Sequence, residues 1–303
     1  MEGHGLEKFK DASLLATSSR RSWTLLSAEI RSFAAGEFDP FTPPNAEITQ
    51  VIADTGGATS TRQSGGVRQE VIAVPGSTWL CPAGIREEAT RLSHNFPEVL
   101  HVYIPQHSFV HLDNEGSVDC STRNVRYEYL ENDPIINRVT SEIIKELHDE
   151  TSSGGLRIDA LAIDLIGTLA RNHMEVSPSR MPLAFAKGLL DRQRLDRVLQ
   201  YIEANLDADI TVSDLANAAC FSLFHFARAF HLATGRPPHT YISERRLDRA
   251  RHLLAYSDAS LVDISLTCRF SGQANFSKAF KRAMGTSPGQ FRRAHKRFYS
   301  DKL

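Results

Sequence analysis

A twelve-residue pattern occurs twice near the C-terminus, and it constrains this chain more than any other feature. Thr211-Val-Ser-Asp-Leu-Ala-Asn-Ala-Ala-Cys-Phe-Ser222 aligns without a gap on Ser260-Leu-Val-Asp-Ile-Ser-Leu-Thr-Cys-Arg-Phe-Ser271. Asp214 matches Asp263, Leu215 matches Ile264 and Phe221 matches Phe270; after one inserted residue, Phe226, Phe230, Gly235 and Pro238 match Phe276, Phe280, Gly285 and Pro288. A short capped helix, a tight turn and a second helix with an apolar stripe is the pattern of a helix-turn-helix. Two copies in one chain can present two helices to one duplex.

Each copy supplies the expected caps. Thr211 and Ser260 stand at N-cap positions with Asp214 and Asp263 three residues on, an acidic capping box. Ser222 and Ser271 are expected to cap the second helices, whose free N–H groups suit a DNA phosphate. On those helices Phe226, Ala229, Phe230 and Ala233, and then Phe276, Ala279, Phe280 and Ala283, follow helical spacing and are expected to face the core. The opposite faces carry Phe224, His225 and Arg228 in the first copy and Gln273, Asn275 and Lys278 in the second. Arg and Lys donate to guanine, Asn and Gln pair with adenine, and apolar groups meet the thymine methyl, so these six residues suit base reading. The bland alternative, that they are solvated polar faces, is weakened by their recurrence on one scaffold. Arg236, Arg246, Lys281 and Arg282, with Ser222 and Ser271, are expected at phosphates, which position a domain without specifying sequence. A helix from Pro237 to Tyr256 joins the copies and spans ~30 Å at ~1.5 Å per residue, close to the ~34 Å after which a duplex presents the same groove again.

Charge divides the chain in the same sense. Residues 191–303 hold 18 Lys and Arg against 11 Asp and Glu, a net of +7, whereas residues 1–190 hold 17 against 25, a net of −8. The basic part suits a polyanion. The four cysteines form no C-x-x-C pair, and neither a disulfide framework nor a zinc knuckle is expected. No apolar run is long enough to span a bilayer and the N-terminus lacks a secretory segment, so a cytoplasmic, nucleoid-associated protein is expected, with no membrane partner.

Residues 1–20 are polar and small-rich and read as disordered. From Trp23 to about Tyr103, short apolar or alternating runs punctuated by Gly and Pro read as strands of a barrel or jelly roll. Two helices follow. The first starts at Pro134 with Asp133 as its cap and carries Ile136, Val139, Ile143 and Leu147 in one stripe; the second runs from about Leu156 to His173 with Ile158, Leu161, Leu165 and Leu169 inward. Residues 174–190 read as a linker, and nearly everything from Gln193 on reads as helix. The fold expected is α+β in two domains: residues 21–173 a β-barrel with two following helices, and residues 191–297 all-α, with helix-turn-helix units at about 211–234 and 260–284 joined by the long helix.

Residues 194–295 resemble the C-terminal domain of the AraC/XylS family of bacterial transcription regulators. The resemblance rests on Tyr201-Ile-Glu-Ala-Asn-Leu, Asp214-Leu-Ala, Phe226-x-Arg-x-Phe230, Gly235-x-x-Pro238, Arg246-Leu-x-x-Ala250, Asp263-Ile264, Phe276-Ser-Lys-Ala-Phe280-Lys and Gly285-x-Ser-Pro288-x-x-Phe-Arg. It implies a seven-helix domain, and places Phe224, His225, Arg228, Gln273, Asn275 and Lys278 at positions the family turns toward DNA. The family usually has Gly where this chain has Arg269, just before the Phe of the second copy. A left-handed turn there costs about 1 kcal/mol, unless Arg269 instead reaches a phosphate.

The N-terminal half is similar to the cupin-like sensor domains of that family, on Val71-Ile-Ala-Val-Pro-Gly through Pro82-Ala-Gly and on Leu100-His-Val-Tyr-Ile-Pro. That implies a barrel that binds a small-molecule effector and two helices that make a homodimer; the alternative is that the stripe from Ile136 to Leu147 covers its own barrel. Trp23, Phe41, Trp79 and Tyr103 are candidates for the effector pocket, or for core. His94, His101, His107 and His111 lack the H-x-H order of a metal-binding cupin and read as surface residues, so no metal and no cofactor is expected. The function expected is an effector-responsive, sequence-specific regulator or activator that binds promoter DNA and contacts RNA polymerase, and is not an enzyme. Two enzyme classes stand against it: a cupin-type small-molecule enzyme with a regulatory DNA-binding tail, and a methyl-accepting DNA-repair protein, which needs a four-cysteine zinc site.

Overall fold

The computed structural model describes residues 8–9, 12–110, 121–174, 190–221 and 223–300. The chain forms two units. The first combines the N-terminal part through His148 with Ile158–Leu183; the second combines Asp149–Arg157 with the chain from Ala184 on. The boundary expected at residue 173 is therefore crossed by one short segment, Asp149–Arg157, which packs with the second unit.

The first unit is built on two antiparallel sheets. One is six-stranded, in the order β1 (Ser13–Thr17), β2 (Ser27–Phe33), β9 (Phe96–Ile104), β4 (Ala46–Val51), β7 (Thr78–Cys81), β10 (Glu128–Leu130). The other is four-stranded, in the order β3 (Gly36–Phe38), β8 (Glu87–Leu92), β5 (Thr59–Ser64), β6 (Val67–Ile72). The two-sheet architecture agrees with the barrel or jelly-roll expectation. The reading of residues 1–20 as disordered fails for Ser13–Thr17, which pairs with β2 (Ala16 opposite Ile30, Thr17 opposite Glu29).

Because side chains alternate across a strand, each central strand has two faces of different chemistry. Ala28 and Ile30, Ala46 and Ile48, and Leu100, Val102 and Ile104 form a fully buried apolar face. On that face Gln50 Nε2 donates to Asn137 Oδ1 at 2.6 Å, which ties β4 to α1 (Pro134–His148). The other face looks between the sheets. It carries Phe33, Val51, Trp79 and Val99, but also Arg31, Glu47, Thr49, Ser60, Arg62 and His101, all buried.

Helix α1 starts as its sequence requires, with Asp133 Oδ1 accepting from the N–H groups of Ile135 and Ile136 at 2.9 Å each. Its stripe of Ile136, Val139, Ile143 and Leu147 is buried within the single chain. The stripe assigned to a dimer is thus already covered, so it leaves no apolar surface for a second copy. In α2 (Gly154–Asn172), Ile158, Leu165 and Leu169 are buried, whereas Leu161 is half-buried. Most of the stretch read as a linker, residues 175–189, lies outside the described residues, as do His111 and Cys120.

The second unit contains seven helices among the described residues: α3 (Arg192–Ala204), α4 (Val212–Ala219), α5 (Leu223–Thr234), α6 (Pro238–Tyr256), α7 (Leu261–Thr267), α8 (Gln273–Met284) and α9 (Pro288–Ser300). Helix α6 packs against α5, α7 and α9. One core gathers Leu247, Ala250 and Leu254 of α6 with Ile264, Cys268, Phe270, Phe276 and Phe280. Among the described residues no helix is long and apolar enough to cross a membrane.

Candidate nucleic-acid interface and the barrel pocket

Helix pairs α4–α5 and α7–α8 repeat down to single hydrogen bonds. In the first pair Thr211 Oγ1 accepts from Asp214 N–H at 3.1 Å while Asp214 Oδ2 accepts from Thr211 N–H at 2.9 Å. In the second, Ser260 and Asp263 make the same reciprocal bonds at 3.0 and 3.3 Å. The turns match too. Cys220 and Arg269, forty-nine positions apart, are the two non-glycine residues with positive φ among those described, at 54° and 59°. Cys220 N–H donates to Asn217 O and Phe221 N–H to Ala216 O, at 3.0 and 2.9 Å; Arg269 N–H donates to Leu266 O and Phe270 N–H to Ser265 O at the same distances. This is the Schellman ending, in which one left-handed residue lets two helix carbonyls be satisfied. After the second turn Phe270 enters the core, 5.2 Å from Phe276 between ring centroids, whereas Phe221 after the first is only half-buried, with the Arg194 guanidinium 5.2 Å from its ring centre.

Arg269 therefore does sit in a left-handed turn. Its guanidinium pairs with Asp209 rather than standing ready for a phosphate. A half-exposed ion pair contributes little, while a β-carbon at positive φ costs about 1–2 kcal/mol, partly offset by the greater unfolded-state entropy of glycine. Arg269→Gly is expected to raise stability by about 0.5–1 kcal/mol, read as a higher midpoint in thermal unfolding; an unchanged or lowered midpoint contradicts the strain.

The apolar stripes of α5 and α8 are in place. Phe226, Phe230, Phe276 and Phe280 are completely buried and Ala229 nearly so. Ala233 and Ala283, expected inward, are exposed, because the last turn of each helix runs past the core. On the outer faces Arg228, Gln273 and Lys278 are exposed and Asn275 is half-buried. Phe224 and His225 lie in the first turn of α5, with their side chains outside the described residues; Ser222 lies outside them altogether. Ser271 does not cap α8. The N-cap is Gly272, with no side-chain cap, and Ser271 Oγ instead accepts from Asn275 Nδ2 at 2.7 Å. Within the same unit, Asn275 Nδ2 also donates to Glu150 O at 3.1 Å, and Lys278 Nζ pairs with Asp149. A base contact by Asn275 or Lys278 has to replace these bonds.

The phosphate candidates divide. Lys281 and Arg282 are exposed on the last turns of α8. Arg236 is exposed but pairs with Glu244. Arg246 is a correction: only 3% of it is exposed. Its Nε donates to Leu206 O at 3.0 Å, its Nη2 to Ala208 O at 2.7 Å and its Nη1 to Ser152 O. Burial and the nearby Arg269 pull its pKa down to about 10. It holds backbone carbonyls rather than DNA.

In the first unit a cavity of about 30 Å³ lies between the sheets, lined by Phe9, Phe33, Phe38, Val51, Trp79, Leu92, Phe96 and Val99 and by the polar Thr49, Ser60, Arg62, Thr90 and His101. Of the four aromatic pocket candidates Trp79 lines it; Trp23 and Tyr103 are core residues elsewhere, and Phe41 faces the Lys8 ammonium at 5.9 Å. His101, read as a surface residue, is buried, and its Nδ1 lies 2.7 Å from Glu47 Oε1. Burial lowers its pKa against the opposing pull of Glu47, which favours neutral imidazole with Nδ1–H donating to the carboxylate. His94 and His107 are exposed, as expected.

A helix-turn-helix domain model matches residues 215–294, the stretch that holds both repeats. The transcriptional activator AarP of Providencia stuartii is 30% identical over 121 residues, which are 40% of this chain and 86% of AarP. The chain belongs to the AraC/XylS family. The transcriptional activator NphR of a Rhodococcus species is 33% identical over 172 residues, 52% of this chain and 51% of NphR. An AraC-type DNA-binding domain from Chromobacterium violaceum, a solved structure, is 30% identical, with 34% of this chain and 92% of that one covered and a TM-score of 0.33. The chain spans about half, or less, of the length of the first curated relatives it matches. Within the AraC/XylS pattern, Arg269 replaces the customary glycine yet keeps the left-handed turn, so the departure changes the energy of the turn rather than its path.

Proposed function

We propose that the chain is a sequence-specific, effector-responsive transcription regulator that inserts α5 and α8 into successive major grooves of promoter DNA. The observation that carries this is the bond-for-bond repetition of cap, turn and buried phenylalanine pair in the two helix pairs. It gives each α-helix an exposed outer face with residues chemically suited to bases. Helix α6, at 19 residues, is ~28 Å long, which suits one groove repeat of ~34 Å. Arg228, Gln273, Asn275 and Lys278, with Phe224 and His225, are assigned to bases; Lys281, Arg282 and Arg236, with Ser222 and Ser271, are assigned to the backbone.

Two relatives are activators by name, and the same role, with a contact to RNA polymerase, is extended to this chain. A homodimer is part of the proposal, formed through surfaces other than the covered stripe of α1. The barrel, with a polar interior uncommon in a purely structural core, is assigned to the effector.

Lys278→Ala is expected to cost ~1–3 kcal/mol at the cognate site and little on unrelated duplex, compared by gel shift at fixed salt on promoter and scrambled DNA. An equal loss on both makes Lys278 a phosphate contact; no preference for any promoter at all removes the proposed function.

A further inference from the structure

The helix assigned to the second groove already holds a segment of its own chain. Lys278 Nζ pairs with the Asp149 carboxylate. One turn back on the same face of α8, Asn275 Nδ2 donates to Glu150 O at 3.1 Å. Ser271 Oγ donates to that carbonyl too, at 3.5 Å, and accepts from Asn275 Nδ2 at 2.7 Å. Three side chains assigned to bases or phosphate therefore face Asp149 and Glu150. All of these contacts fall within the second unit, to which Asp149–Arg157 belongs.

The segment is firmly seated on one side and lightly held on the other. Ser152 and Ser153 are buried. Ser153 Oγ donates to His239 O at 3.0 Å, and Arg246 Nη1 donates to Ser152 O, so α6 anchors that end. At the tip, Asp149 and Lys278 are 49% and 69% exposed, and an exposed ion pair contributes little. What the tip offers α8 is a carboxylate and a carbonyl, both acceptors. Guanine O6 and N7 are acceptors as well, and so are phosphate oxygens. An asparagine amide has two hydrogens to donate, and those of Asn275 already go to Ser271 and Glu150. A base acceptor receives one of them only by displacing a present partner.

We propose that Asp149 and Glu150 are an internal competitor for DNA: they mask the donors of Asn275 and Lys278, and α8 engages a duplex only when this tip withdraws. The masking segment is also the connection between α1 and α2, so the chain itself ties the state of α8 to the helices that follow the barrel. This rests on the reading of α8 as a base-contacting helix.

The test uses the full chain with a duplex that it selects from a randomised pool, and with a scrambled duplex of the same composition. At one fixed salt concentration, Asp149→Asn is expected to bind the selected duplex about two- to fivefold tighter, the range of an exposed ion pair, and to gain less on the scrambled one. In a Lys278→Ala background the same change is expected to gain nothing, because the pair it breaks is already absent. A single thermal transition in each variant confirms that it is folded. A second readout is direct. A carbodiimide, which condenses a neighbouring carboxylate and amine to an amide with loss of water, is expected to join Asp149 to Lys278 in the free chain, as read by peptide mass spectrometry. Saturation with the selected duplex is expected to suppress that link severalfold while leaving a Glu142–Lys145 link on α1, where the groups stand 2.8 Å apart, unchanged. No gain in affinity, or a gain that persists without Lys278 and so reflects only relieved repulsion, overturns the proposal. So does a cross-link that forms equally with the selected duplex bound. A chain that prefers the selected duplex yet keeps the cross-link retains base reading and loses the mask; a chain that prefers no duplex loses both.

Discussion

Phe230→Ala is expected to cost the second unit about 3–5 kcal/mol, the range for emptying a fully buried aromatic site. Phe230 is completely buried; its ring stands 5.6 Å from Phe226 and edge-on to Tyr241 of α6 at 5.8 Å. The truncation thus opens a hole where α5 meets the long helix. Both tryptophans, Trp23 and Trp79, lie in the first unit. Far-UV circular dichroism in urea should therefore show an early helical transition, while tryptophan fluorescence keeps its wild-type midpoint. Unchanged helical stability would mean that Phe230 is not a core residue.

Arg246→Ala is expected to be nearly as damaging, at about 3 kcal/mol, although removing an arginine from a basic domain looks at first like a loss of DNA affinity. The guanidinium bonds two carbonyls in the stretch between α3 and α4, Leu206 and Ala208, and a third at Ser152. Its removal leaves buried acceptors unpaired, and hydrogen bonds to charged groups contribute about 1.5–3 kcal/mol each before relaxation. Lysine is a poor substitute, since a single ammonium cannot reproduce the planar fork. The check separates the two roles: Arg246→Ala should lower the unfolding midpoint, whereas loss of affinity at an unchanged midpoint would return Arg246 to the phosphate group.

The helical half was largely readable from the chain because its signals are local. Thr211 with Asp214, Ser260 with Asp263, and Asp133 before Pro134 announce helix starts within three residues, and the cap bonds form as expected. Arg246 reads as a phosphate contact by its charge but not by its position. It falls four residues after Ile242 and four before Ala250, on the buried stripe of α6, and that spacing was visible. Ser271 escaped because either it or Gly272 can precede a helix, and the choice depends on the side chain's own partners.

The barrel was less readable, since its polar interior depends on pairing between strands far apart in the chain. Still, Glu47, Thr49 and Val51 on β4, and Ser60, Arg62 and Ser64 on β5, share one face at a period of two. A strand that buries that many polar groups on its inward side signals a cavity with chemistry in it. Nothing in Lys8-Phe9 alone shows that these side chains are buried in the barrel; Phe33 stands twenty-four positions from Phe9 and Glu47 thirty-nine from Lys8.

Helix α6 also sets a rule for how such a protein can change. Its inward residues serve the aromatic clusters at both ends, Ile242 near the first and Leu247, Ala250 and Leu254 in the second. Adding one residue within it would turn everything downstream by about 100° and shift it ~1.5 Å, which under the proposed docking would swing α8 off the side of the duplex assigned to α5. Drift in operator spacing therefore cannot be followed by single insertions or deletions here. Related chains would be expected to hold the length of this rod constant and to retune by exchanging side chains on the two outward faces.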